Sequence, residues 1–156
     1  MKRKSINNKI LNKFPEIKLS YEKILDKKVY AEGYMIIPKG QKAFLWFTYN
    51  ENKNLALLLK LDKSNNIINV EEIVLSFDDS LSNGTIIHGT VFKVNNKTLF
   101  TCENILYYKN TNVSYENFQQ KILILKDIFN NQLKQVSYTK KMVIVGLPII
   151  KSNFCN

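Results

Sequence analysis

The sequence is poor in the residue types that build most metal-binding and nucleophilic sites. It contains one histidine, His88, and two cysteines, Cys102 and Cys155, among 156 residues. A zinc site takes about four ligands, mostly cysteine and histidine, and these residues lack any metal-binding spacing. A catalytic serine or cysteine would need His88 as its base, and no local motif surrounds that residue. We therefore expect neither a metal nor a cofactor.

Long apolar runs are missing too. The longest, such as Leu55 to Leu59, are far shorter than the roughly 20 residues with which a helix crosses a bilayer. The beginning of the chain, MKRKSINNKILNKFPEIK, has no apolar core of a secretory signal. We therefore expect no membrane contact and a cytoplasmic location, which for a viral protein means the host cytoplasm or the virion.

The chain is long and apolar enough to fold as one domain. Hydrophobic residues make up 45% of it and aromatic residues 12%, and its five glycines and three prolines form no linker-like stretch. The N-terminal segment is basic, with Lys2, Arg3 and Lys4 in succession. We predict a basic leader over residues 1–20 and a single domain over residues 21–156.

Arginine is nearly absent, whereas lysine is abundant. Arg3 is the only arginine, and the formal net charge is +10. Such an excess of positive charge favours contact with polyanions, above all nucleic acid, through the release of counterions. Lysine binds phosphates as a point charge and lacks the two-pronged geometry with which arginine reads guanine. Lysine also keeps proteins of AT-rich genomes soluble, so the charge by itself is compatible with either role.

From Tyr30 onward, apolar residues alternate with a period of two, which predicts β-strands. The first strand, YAEGYMII, is predicted to turn at Pro38-Lys39-Gly40-Gln41 and to return as KAFLWFTY. The alternation places Ala43, Leu45, Phe47 and Tyr49 on one face of that strand and Lys42, Phe44, Trp46 and Thr48 on the other. Further predicted strands are LALLLKL, IINVEEIVLSF, TIIHGTVFKV, TLFTCENILYYK and KMVIVGLPII.

One long helix is predicted after these strands. In SYENFQQKILILKDIFNNQLKQ, Ser114 is the expected N-cap, and apolar residues follow at helical spacing. A shorter helix is expected from Ser20, in SYEKILDKK. The predicted fold class is α+β, a curved antiparallel β-sheet with one long packed helix.

Three stretches, taken in order, resemble the superfamily of mRNA capping guanylyltransferases and polynucleotide ligases. IIPKGQKAFLWF resembles its lysine signature, K-x-D-G followed by a basic residue and an aromatic strand. NGTIIHGTVFKV resembles its G-T-x-x-D-G-E motif, and TLFTCENILYYKN resembles the strand after that. The resemblance covers residues 30–147 and implies a trimmed nucleotidyltransferase-like fold.

The departures from the superfamily's pattern imply a pseudoenzyme. When Gly40 is aligned with the glycine of the K-x-D-G signature, Ile37 occupies the position of the nucleophilic lysine and Lys39 that of the aspartate. In the second motif, His88 replaces the aspartate and Thr90 the metal-associated glutamate. The superfamily's reaction needs a lysine amine that attacks the α-phosphate, and its later E-G and K-x-K motifs have no counterpart after GLPII.

The stretch IPKGQKAFL is more similar to the snurportin-type cap-binding domain, which has the capping-enzyme fold without its catalysis. The residues that match the pattern of that domain are Pro38, Gly40, Lys42 and Ala43. It implies that a methylated guanine stacks on a tryptophan while basic residues bind the phosphates. The expected ligand-binding residues are Trp46, Lys39, Lys42, Phe44, Tyr107, Tyr108 and His88.

Each expected site residue also has a purely structural interpretation. Trp46 and the tyrosines could pack in a core, the lysines could solubilise a turn, and His88 could be a packing histidine. We expect a non-catalytic nucleotide or RNA 5′-cap binding module whose partner is an RNA 5′ end or a nucleotide. The alternatives are a structural or assembly protein with a protein partner, as in a large DNA virus, and one half of a split active nucleotidyltransferase.

Overall fold

A computed structural model describes residues 9–19, 34–135 and 143–151, and a seven-stranded sheet forms its centre. The strands are β1 (Tyr34–Ile36), β2 (Gln41–Asn50), β3 (Lys53–Leu61), β4 (Ile67–Ile73), β5 (Ser76–Phe77), β6 (Thr85–Val94), β7 (Lys97–Tyr108), β8 (Thr111–Asn112), β9 (Leu133–Lys134), β10 (Val143–Gly146) and β11 (Ile149–Lys151). The strand order is β10-β7-β6-β2-β3-β4, with β8 paired to β7. The prediction of an α+β protein with a mostly antiparallel sheet is confirmed.

Asparagine-rich turns set the register of the main hairpins. Two-residue loops connect β2 with β3 and β6 with β7, because Asn50 pairs with Lys53 and Val94 with Lys97. Both residues of each loop have positive φ, as in Asn95 at 51°. Asparagine tolerates this left-handed conformation better than most residues. The predicted antiparallel pairing of these strands is therefore supported by local turn chemistry.

The predicted hairpin at Pro38-Lys39-Gly40-Gln41 is wrong. Strand β1 pairs with β11 in a separate two-stranded ribbon, and β2 lies between β3 and β6. The chain at Gly40 runs close beside β6, where a Cβ atom would lie 2.1 Å from the carbonyl oxygen of Val91. The last predicted strand also divides, because β10 pairs in parallel with β7 before the chain continues into β11.

The long helix is shorter than predicted and begins later. Helix α1 spans Phe118–Asp127, and a π-helical turn over Ile128–Gln132 extends it. Its N-cap is Asn117, whose Oδ1 accepts a hydrogen bond from the Gln120 amide, rather than Ser114. A 3₁₀ turn over Asp79–Asn83 precedes β6. In the described parts of the chain, no helix combines the length and hydropathy needed to cross a membrane.

The sheet is covered on both faces. One face carries Ala43, Leu45 and Phe47 of β2 and packs with buried residues of α1 and its extension, as the alternation predicted. The other face carries Phe44 and Trp46 in a second cluster with Ile10, Leu55, Leu57, Leu59, Leu61, Ile86 and Leu106. Residues 9–19, part of the predicted leader, pack on this second face. The helix expected from Ser20 and the basic run at residues 2–4 lie outside the described residues.

Candidate functional site

The indole of Trp46 is buried, which corrects the expectation of an open stacking surface. Only 3% of Trp46 is exposed. The ring of Phe14 meets it edge-on, with centroids 5.1 Å apart, and Phe14 also lies 5.3 Å from the ring of Phe44. Phe44 is equally buried. A methylated guanine therefore has no free indole face on which to stack while residues 9–19 hold this position.

The ammonium group of Lys42 is bound within the sheet and does not project toward a ligand phosphate. Its Nζ donates hydrogen bonds to the two carboxylate oxygens of Glu103 at 2.8 and 3.1 Å. The hydroxyl of Thr90 donates to the same carboxylate at 2.8 Å. Lys42 pairs with Thr90 across β2 and β6, so the ion pair spans three neighbouring strands. The expectation that Lys42 binds phosphate is corrected by this pairing.

His88 belongs to the same polar cluster. Its Nδ1 lies 3.7 Å from Glu103 Oε2, and its ring lies 5.4 Å from that of Phe44. The cluster thus joins a lysine, a glutamate, a threonine and a histidine in a half-buried position. Among the described residues, no three His, Cys, Asp or Glu side chains are placed to hold a metal ion.

The two predicted tyrosines lie on opposite faces of β7. The Tyr108 hydroxyl accepts a hydrogen bond from Gln132 Nε2 at 2.7 Å and donates one to Asp127 at 3.2 Å, so it fixes the end of the helix. Hydrogen bonds from Asn131, Tyr108 and Gln132 hold the pKa of Asp127 below its usual range. Tyr107 instead lies on the Trp46 side of the sheet and lines a pocket there.

Four exposed lysines lie at the end of the sheet where β2 begins. In the described chain none of them has an ion-pair partner. Neighbouring strands lie about 4.8 Å apart, so a row across four strands is roughly 15 Å wide. We call this set the lysine end: Lys39, Lys63, Lys93 and Lys97.

Strand pairing brings the members of the lysine end together. Lys93 and Lys97 flank the β6–β7 turn, and the neighbouring Val91 pairs with Gln41 at the start of β2. The Gln41 side chain donates to the carbonyl of Leu61 at 3.3 Å, which ties the β3–β4 turn to the same end. Lys39 lies two residues before Gln41, and Lys63 lies two residues after Leu61.

Carboxylates near the lysine end are already engaged. Glu103 pairs with Lys42, and Glu71 lies 3.6 Å from Lys60. Asp62 is held in its own turn, where the Asn66 backbone amide is the main cause of its lowered pKa. Other exposed carboxylates lie at the opposite end of the sheet, at Glu51, Asp78, Asp79 and Asp127.

Sequence reasoning missed Glu103 and Ser82. Glu103 had a detectable signal, because it is the only charged residue within the apolar strand LFTCENILYY. Its neighbour Cys102 is fully buried, and burial together with the charge of Glu103 raises the pKa of its thiol, so this cysteine is no nucleophile. Ser82 is buried in the 3₁₀ turn, and its hydroxyl has no hydrogen-bond partner among the residues that the structure describes. Nothing in the local sequence distinguishes this serine.

Comparison with known proteins assigns the chain to no family. No protein-family profile matches it, and no curated protein matches it at a significant level. A function for this chain must therefore be inferred from its own residues.

Proposed function

We propose that this chain binds RNA through the sugar-phosphate backbone, without turnover, at the lysine end of the sheet. The observation that supports this proposal is the row of four exposed lysines that have no carboxylate partner among the described residues. A row about 15 Å wide matches four to five nucleotides at roughly 3.4 Å per nucleotide of strand. A snurportin-like or capping-enzyme-like scaffold is part of the proposal, but stacking on Trp46 is not.

Electrostatics favours the lysine end over the rest of the surface. The formal charge of +10 attracts a polyanion to the whole molecule, and at the opposite end of the sheet carboxylates offset part of the lysine charge. Lysine ammonium groups neutralise phosphates without reading bases. We therefore expect weak sequence preference, strong salt dependence and equal affinity for capped and uncapped RNA.

Replacing the lysine end by glutamine should remove most of the salt dependence of RNA binding. Four phosphate contacts to a single strand give a slope of log K against log salt near −3, and losing them should lower its magnitude by about 3. The measurement is fluorescence anisotropy of a short labelled single-stranded RNA between about 50 and 200 mM salt.

The matched control replaces four lysines outside the lysine end, Lys53, Lys109, Lys126 and Lys134. Each variant loses four positive charges, so both fall from +10 to +6, and the control also loses the exposed Lys53–Glu72 ion pair. Equal loss of affinity in both variants would mean that only net charge matters, which contradicts the proposal. A labelled ATP or GTP incubation with divalent metal should leave no acid-labile label on Lys39, and a label there would indicate an active enzyme.

A second candidate function is self-assembly through the ribbon of β1 and β11. Five apolar residues there are between 36% and 56% exposed: Ile36, Ile37, Leu147, Ile149 and Ile150. A two-stranded ribbon is marginally stable in water, and exposed apolar side chains such as the paired Ile36 and Ile149 are typical of an interface. The specific partner we propose is a second copy of the chain.

Introducing charge into the ribbon should abolish self-association. Sedimentation velocity of the wild-type protein should show a concentration-dependent dimer that nuclease treatment does not change, whereas Ile149→Glu/Ile150→Glu should be monomeric. Ile68→Glu is the control, since Ile68 is 58% exposed on β4, outside the ribbon. A wild-type monomer at high micromolar concentration would exclude this function.

A further inference from the structure

The turn between β6 and β7 carries a lysine on each of its two faces. Val94 pairs with Lys97 and Lys93 pairs with Thr98, with no register shift at this end of the hairpin. Residues that pair directly share a face, and successive residues alternate between faces. Lys97 therefore lies on the face of Val94, whereas Lys93 lies on the opposite face, which it shares with the buried Val91.

These two lysines are placed to reach two separate chains of phosphates. Stacked sheets lie about 10 Å apart, so side chains extend about 5 Å from each face, and ammonium groups on opposite faces lie roughly 10 Å or more from each other. Lys93 and Lys97 are both exposed, and within the described parts of the chain neither has an ion-pair partner. The two strands of a duplex place phosphates on both sides of a groove, whereas a single strand follows only one path.

Exposed aromatic side chains, which bind unpaired bases by stacking, lie elsewhere on the molecule. Among the described residues, the aromatic side chains that are at least half exposed are Tyr49, Tyr115 and Phe118. Tyr49 lies near the far end of β2, and the other two follow β8, which pairs with the far end of β7. Proteins that bind single strands without sequence preference combine a basic groove with such stacking surfaces. The lysine end therefore offers a single strand phosphate contacts without stacking.

The tip of the turn carries two exposed asparagines. Asn95 and Asn96 have φ values of 51° and 65°, and both are exposed. An asparagine amide both donates and accepts hydrogen bonds, as does the 2′-hydroxyl that an A-form RNA duplex displays in its wide, shallow minor groove. A two-residue tip reaches the floor of a shallow groove while the lysines beside it stay at the rim. B-DNA instead has a minor groove only about 6 Å wide and a major groove about 8.5 Å deep.

We propose that the lysine end binds double-stranded RNA, with the β6–β7 turn in the minor groove and Lys93 and Lys97 on the phosphates of the two strands. Asn95 and Asn96 contact the 2′-hydroxyl groups. This inference rests on the proposed function and adds the class of RNA and the residues that select it. Recognition of this kind reads shape and backbone, so the base sequence should matter little.

Fluorescence anisotropy with three labelled ligands of one sequence tests the proposal. The ligands are a blunt RNA duplex of about 16 base pairs, one of its strands alone, and the corresponding DNA duplex. We expect the RNA duplex to bind at least about tenfold more tightly than either of the others, the effect of one or two additional hydrogen bonds to charged groups. Equal affinity for the RNA duplex and the single strand would overturn the proposal.

Substitutions at the turn separate a groove contact from the general attraction of charge. Lys93→Gln and Lys97→Gln should each remove most of the preference for duplex over single-stranded RNA, because each leaves one phosphate chain unbound. Lys63→Gln removes the same charge from the lysine end outside this turn and should weaken binding of both RNAs by the same factor. Asn95→Gly/Asn96→Gly keeps a turn that accepts positive φ and should lower affinity for the RNA duplex to that for the DNA duplex.

Duplex preference and lysine dependence can fail separately. If the variant with all four lysines of the lysine end replaced loses affinity for the single strand, but the wild-type protein does not prefer the RNA duplex, only the duplex assignment is wrong. If that variant binds both RNAs as tightly as the wild type, the proposed function fails as well. The proposal is also overturned if the DNA duplex binds as tightly as the RNA duplex, or if the preference for duplex RNA survives both Lys93→Gln and Lys97→Gln.

Discussion

Glu103→Gln is expected to destabilise the protein by about 2 kcal/mol, between the values of exposed and fully buried ion pairs, since it removes the negative charge that faces the partly exposed Lys42 ammonium. Glu103 is 7% exposed at its side chain and accepts from both Lys42 and Thr90. Removing one partner of a largely buried ion pair is costly, because the remaining charge is only partly solvated. Glutamine keeps the volume of the side chain, so the loss measures charge rather than packing. Urea unfolding followed by Trp46 fluorescence gives the free energy of unfolding.

A surface pair in the same sheet supplies the matched control. Lys53 and Glu72 lie 2.9 Å apart, but both side chains are more than half exposed. Glu72→Gln should therefore cost less than about 1 kcal/mol. The double variant Lys42→Met/Glu103→Leu should recover most of the stability lost in Glu103→Gln, because it removes both charges of the ion pair. If Glu103→Gln and Glu72→Gln lower the free energy of unfolding equally, the Lys42–Glu103 pair is as well solvated as a surface pair, which contradicts the prediction.

Local signals predicted most strands and the hairpins with asparagine turns, because each depends on residues that are close in sequence, but they gave the wrong partner for β1. The alternation of β2 identified which side chains share a face, as in Phe44 and Trp46. The asparagines of the turns reverse the chain through left-handed backbone conformations that few other residues tolerate. The helix was found but not its start, since Ser114 and Asn117 are both good caps and only the fold selects between them.

Pairings between distant segments could not be predicted from such patterns. Lys42 and Glu103 are 61 residues apart, and the partner of β1 is the last described strand. No periodicity carries information about which strand lies beside which. From its sequence position alone Lys42 is therefore predicted to bind a ligand, whereas in the fold it pairs with Glu103.

The strands themselves carry a sequence signal that both faces of the sheet are covered. FLWF in β2 and LALLL in β3 are continuous apolar runs rather than strict alternations. Such runs are typical of strands that are buried on both sides. A one-sided sheet with an open nucleotide pocket would carry more polar residues on its second face. The sequence does not indicate that residues 9–19 cover the Trp46 face, because this segment is predicted to be part of a basic leader.

Phe14→Ala is expected to expose Trp46 to water and to lower stability by about 2 kcal/mol. Phe14 contacts both Trp46 and Phe44 and is itself only partly buried, so the cost should fall below the 3–5 kcal/mol typical of a phenylalanine removed from a core. Fluorescence gives the second readout, since the emission of the single tryptophan should shift to the red and iodide should quench it more readily. Tyr115→Ala is the control, because Tyr115 is 78% exposed and lies outside this cluster. A wild-type emission already typical of solvated tryptophan would contradict the covered face and would make stacking on Trp46 possible again.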